Sequence, residues 1–178
     1  MRYYSILLLI VICCSSCSRK SEKELYDEAD IAYARQDYHG AIALFEQAVD
    51  RAPATAYAES AQYRIAMTYN NDLHDTRNSI AAYQKFCTMF PKSKVAPSAM
   101  FLVAFLYNNE LHDIDSAKLY YERFLEAYPD NDLAGSARFE IESLGKEPTH
   151  IMEKQDVSDQ PPPSTPAKKG TPKTKATK

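Results

Sequence analysis

Glycine is scarce in this chain, four in 178 residues, and tryptophan is absent. Tight turns and phosphate-cradling loops need positive φ or close backbone approach, so few glycines disfavour both and point to a helix-rich protein. Cysteine is nearly missing from the globular part. Cys13, Cys14 and Cys17 lie near the amino terminus, and only Cys87 remains in the body. One thiol closes no internal disulfide, which excludes a disulfide framework. Basic charge is also short: from Ser18 to Leu144, thirteen Lys and Arg face twenty Asp and Glu. A nucleic-acid-binding body would need a basic face, so that class is excluded. Nor is any apolar run long. Ile6–Cys14 spans nine residues, against about 20 for a membrane-spanning helix.

That short run has a meaning of its own. Arg2 precedes it and the small residues Ser15 and Ser16 follow it, the three parts of a secretory signal peptide. The ending Cys14-Ser15-Ser16-Cys17 resembles the lipobox of bacterial lipoproteins, although Cys14 stands where Leu is usual. The resemblance implies acylation of Cys17. With Ser18 rather than Asp next, it implies sorting to the outer membrane, on the periplasmic side. Several acyl chains, at roughly 0.8 kcal/mol per buried CH₂, hold a protein firmly on a bilayer. The expected organisation is a signal peptide over 1–16, a lipidated Cys and tether over 17–23, a repeat domain over 24–145 and a basic tail over 146–178.

The body repeats itself every 38 residues. Asn70-Asn71-Asp72-Leu73-His74-Asp75 returns as Asn108-Asn109-Glu110-Leu111-His112-Asp113, and the same offset carries Tyr83 to Tyr121 and Phe86 to Phe124. Pro53, Pro91 and Pro129 share the phase, as do Ala58, Ala96 and Ala134, and Ala61, Ala99 and Ala137. Within a unit the apolar spacing is helical, and each second helix stops before a Pro, which disfavours helix in the residue preceding it. The pattern predicts seven helices over roughly 22–35, 38–51, 55–71, 76–90, 94–109, 114–128 and 132–144. Polar caps are expected at Ser93 and Asn131 after the prolines, and at Asp75 or Thr76 and Asp113 or Asp115 after the mid-unit turns. Leu133, Phe139, Ile141 and Leu144 are expected to close the stack with the last helix. Cys87 shares its phase with Val49 and Leu125 and reads as a buried, inert thiol.

Asp37-Tyr38 followed by Ala41-Ile42, Phe45, Ala48 and Pro53 resembles the second half of a tetratricopeptide repeat. Pro91-Lys92-Ser93 with Ala96, Ala99 and Phe101, and Pro129-Asp130-Asn131 with Ala134, Ala137 and Phe139, resemble the joints of envelope tetratricopeptide proteins, the BamD-type assembly lipoproteins and the CpoB/YbgF-type repeat domain. The chain departs from both: it has about three repeats rather than five, and no heptad segment precedes Leu25. The resemblance implies an all-α superhelical stack of about three helical hairpins plus a capping helix. It further implies a groove for protein partners lined by the first helix of each unit. Transferred onto this sequence, the groove positions are Tyr26, Asp30 and Tyr33, then Tyr63, Met67, Asn70 and Asn71, then Phe101, Phe105, Asn108 and Asn109. Rings that cover apolar side chains and amides that bond a backbone suit an extended peptide.

Signatures of chemistry are missing. The chain has no Gly-rich phosphate loop, no paired Cys-x-x-Cys and no His-Glu-x-x-His. The duplicated Leu-His-Asp at 73–75 and 111–113 invites a metal reading. Equivalent residues of stacked units, however, lie around 10 Å apart, while zinc needs ligands at about 2 Å. Duplicated turn residues are the better account. No cofactor, no metal and no catalytic residue is expected. From Gln160 to Lys178 five lysines and no acid stand among Pro, Thr and Ala, a composition that buries too little to fold. Such a tail suits solubilisation, or a weak contact with anionic lipid or cell wall that salt would screen. The expected function is a non-enzymatic adaptor binding envelope proteins, in outer-membrane protein assembly or envelope coordination. The alternative is a structural tether linking membrane to cell wall through lipid and tail.

Overall fold

Residues 19–146 are described by a computed structural model; the signal segment 1–16, Cys17, Ser18 and the tail from residue 147 lie outside the described residues. Among the described residues there are seven helices and no strand: α1 (Glu22–Ala34), α2 (Tyr38–Arg51), α3 (Ala56–Asn71), α4 (Thr76–Met89), α5 (Ala96–Asn109), α6 (Ile114–Ala127) and α7 (Ala134–Ser143). None of them is long and apolar enough to cross a membrane. Each helix packs on its sequence neighbours, so the pairs α1–α2, α3–α4 and α5–α6 form three stacked hairpins, and α7 lies on the last. Short connections make consecutive helices neighbours, and stacking buries what one hairpin cannot cover alone.

Helix starts follow from local chemistry. Ser21 and Glu24 form a reciprocal capping box at α1, with Ser21 N donating to Glu24 Oε2 at 2.8 Å. Asp37, Asp75 and Asp113 each accept the N–H three residues on, from Gly40, Asn78 and Ser116, at 3.0–3.1 Å. Thr55 does the same for Ala58 at α3. After the prolines the outcome differs from the sequence expectation. Ser93 Oγ accepts from Val95 N and Asn131 Oδ1 from Leu133 N, two residues on rather than three. Both side chains therefore close a tight turn ahead of the helix, as short hydroxyl and amide side chains do. The helices begin at Ala96 and Ala134, with no side-chain cap.

The mid-unit turns place Gln36, His74 and His112 in the left-handed region, at φ 63°, 51° and 52°. The two histidines are thus duplicated turn residues. Among the described residues no His, Cys, Asp or Glu cluster could hold a metal. The first turn, Arg35–Asp37, is one residue shorter than Asp72–Asp75 and Glu110–Asp113. Consequently α1 stands 37 residues from α3, not 38. Ala29, Ala66 and Ala104, all fully buried, mark this register.

Packing follows the repeat. Phe45, Tyr83 and Tyr121, with Phe86 and Phe124, are buried on the second helices. The alanines at the joints have no exposure above 3%, so that helices approach closely. Cys87 is half-buried, and burial pushes its thiol up to about 11. In α7, Ala134 and Ala137 are buried, and Leu133, Ile141 and Leu144 pack on the core. Phe139, expected on that inner side, is instead 49% exposed. It is the repeat equivalent of Phe101, whose ring is covered by α6 at 5.3 Å from Tyr121. Among the described residues no helix follows α7 to cover it.

Candidate functional site

α1, α3, α5 and α7 are the equivalent helices of successive units; α1 packs directly on α3, and α5 reaches α7 through a hydrogen bond. Three polar contacts tie members of this set, two between α1 and α3 with its C-cap and one between α5 and α7. Asp30 of α1 accepts from Arg64 of α3 at 2.9 Å. The same guanidinium lies 4.5 Å from the centre of the Tyr33 ring and 5.6 Å from that of Phe45, a cation–π arrangement. The Tyr33 hydroxyl donates to the Asp72 carboxylate at 3.0 Å, and this bond, with burial, raises the tyrosine pKa. At the other end of the row Asn108 Nδ2 of α5 reaches Glu140 Oε2 of α7 at 3.5 Å.

The residues selected from sequence divide into three groups. Tyr26, Tyr63 and Phe101 turn toward their own hairpins. Tyr26 meets Phe45 edge-on at 5.2 Å, Tyr63 meets Phe86 at 5.2 Å, and Phe101 meets Tyr121 at 5.3 Å. Desolvation raises the Tyr63 pKa, in keeping with a half-buried hydroxyl. Asp30 and Tyr33 belong to the Arg64 cluster. The remainder are the more open set: Met67 and Asn70 are half-buried, Asn71 and Asn109 exposed, and Phe105 is 38% exposed. Asn70 donates to the Asn71 amide oxygen at 2.8 Å, and Asn109 to the Phe105 carbonyl at 3.0 Å. Both amides keep further donors and acceptors for a ligand.

Sequence reasoning missed Arg64, Asp72 and Glu140. Arg64 was detectable in principle, because an Asp and an Arg 34 positions apart face each other once the helices are stacked. The groove positions Tyr26, Asp30 and Tyr33 already stand 37 residues from Tyr63, Met67 and Asn70, but which side chains meet across α1 and α3 depends on how the helices stack. Cys17 lies outside the described residues, so the geometry says nothing of it.

Stacked two-helix units with Pro-terminated second helices, alanine joints and a row of first helices are those of a tetratricopeptide-type envelope protein. The chain belongs to the YfiO family, described as outer membrane lipoproteins, whose model matches residues 18–147. Among solved structures it is similar to the Sgt2 TPR domain from Aspergillus fumigatus, with 20% identity, a TM-score of 0.47, and 84% of this chain and 90% of that chain covered. No curated protein matches.

Proposed function

We propose that this protein is a non-enzymatic adaptor, anchored in the outer membrane by lipid on Cys17 and facing the periplasm. In this reading it holds an extended segment of another envelope protein along α1, α3, α5 and α7, in outer-membrane protein assembly or envelope coordination. Family membership supports the setting. The observation that carries the binding role is Phe105. A ring 38% exposed, flanked on its own helix by Asn108 and Asn109, offers apolar cover and backbone-directed amides together.

The test is photo-crosslinking in intact cells from a reactive side chain at Asn71 or Asn109, with exposed Lys85 of α4 as the control position. The expected result is one discrete envelope protein captured from Asn71 and Asn109 and not from Lys85. Equal capture from all three positions, or capture from none, would sink the adaptor reading.

A further inference from the structure

The row of first helices repeats one junction three times, and the three are finished differently. Between α1 and α3 the facing positions are Asp30 and Arg64, paired at 2.9 Å. Between α3 and α5 the equivalents are Met67 and Leu102, both part-buried against the core. Between α5 and α7 they are Phe105 and Glu140. An ion pair closes the first junction and apolar packing suits the second. At the third, Asn108, one turn beyond the exposed Phe105 on α5, reaches the Glu140 carboxylate at 3.5 Å.

Among the described residues no Lys, Arg or His lies within salt-bridge distance of Glu140, and its side-chain partner is the Asn108 amide at 3.5 Å. Desolvation raises its pKa. The nearby Tyr121 hydroxyl is buried with no hydrogen-bond partner, and the Glu140 charge adds to burial in raising its pKa. A partly buried charge without a partner is unfavourable, and an incoming cation relieves that. The four helices of the row carry eight acidic and three basic residues. Arg64 is already tied to Asp30, while Asp72 and Glu140 form no salt bridge among the described residues.

We propose that the α5–α7 junction anchors a basic residue of the partner's extended segment: an arginine or lysine whose stem lies along the Phe105 ring and whose charged head pairs with Glu140, beside an apolar residue directed toward Met67. Charge complementarity across an acidic row of helices selects such a segment and rejects an acidic one. An arginine gains further from the aromatic face of Phe105. This inference rests on the groove reading above, and its test separates the two.

The probe is a displayed library of random short peptides, selected in parallel on the full chain and on Glu140→Gln, Glu140→Arg and Phe105→Ser. Equal helical circular dichroism and equal unfolding midpoints check the fold of each variant. The wild type is expected to enrich Arg or Lys next to an apolar residue. Its best peptide should bind Glu140→Gln about ten-fold more weakly, as loss of one charge-assisted bond implies. Glu140→Arg should enrich acidic peptides instead, and Phe105→Ser should weaken the wild-type selections. If wild type and Glu140→Gln select the same peptides with equal affinity, or if Phe105→Ser binds them undiminished, the anchor is overturned and the groove stands. If neither protein enriches any peptide, both fall.

Discussion

Phe124 and Tyr121 lie on one face of α6, both fully buried, yet they contribute in different ways. Phe124 packs edge-on against Phe101 at 5.8 Å and tilted against Tyr128 at 5.7 Å. Removing its ring should leave a cavity, so Phe124→Ala is expected to lower stability by about 3–5 kcal/mol in urea unfolding. The Tyr121 hydroxyl, by contrast, has no partner. Tyr121→Phe keeps the ring and deletes an unpaired buried polar group, so stability should rise or stay within about 1 kcal/mol. A large loss there would mean that the hydroxyl is bonded. Both residues were legible as core from the offset that relates them to Phe86 and Tyr83. The orientation of Tyr63 and Phe101 was not. A helical ring between two packed neighbours can serve either, and only the position of the second helix decides.

The helices themselves were read closely from periodicity, prolines and caps, because those signals act over a few residues. Asp75 and Asp113 show the local chemistry most clearly. The Asn78 and Ser116 backbone N–H groups hydrogen-bond these carboxylates and hold their pKa values below the ordinary aspartate range, with the same residues' side chains adding to the effect. A carboxylate whose folded pKa is depressed contributes stability that is fully present above its unfolded pKa, roughly 3.9. That contribution is lost as pH falls through the lower folded value. Asp75→Ala should therefore lower the thermal midpoint at neutral pH, and the gap from wild type should close on titration below about pH 4. A gap that persists at lower pH would show that the cap does not act through its charge. The exceptions at Ser93 and Asn131 are equally physical. A side chain of the same chemistry can cap a helix or close a turn, and the backbone entering the joint selects the turn.

At the scale of the molecule the body is a one-dimensional stack in which each unit depends on its neighbours. Its last member, α7, covers Ala104, Tyr121 and Phe124 through Leu133, Ala134, Ala137, Ile141 and Leu144. A chain ending at Lys146 should unfold with the midpoint of the full chain. A chain ending at Asp130 should unfold several degrees lower, with amide exchange rising first in α5 and α6. An unchanged midpoint for the shorter chain would show that α7 is not needed to close the stack. The same helix departs from its predecessors in a revealing way. Where α3 and α5 carry the buried Ala66 and Ala104, α7 carries the exposed Glu142. Its outer face is built for water, with Phe139 left as an exposed ring.

By itself the sequence determined the all-helical repeat, the number of helices among the described residues and the turn role of His74 and His112, and it narrowed the mid-unit caps to Asp75 or Thr76 and Asp113 or Asp115. Each of these is set by interactions within a few residues or by a period that repeats. Tertiary structure decided which groove rings turn inward to their hairpins, that Arg64 closes the first junction with Asp30, and that Asn108 reaches Glu140, which pairs with no cation among the described residues. Those outcomes depend on the register between helices more than thirty residues apart. The offset of 37 between α1 and α3 is visible in the sequence, but which side chains meet across it is set by how the units stack.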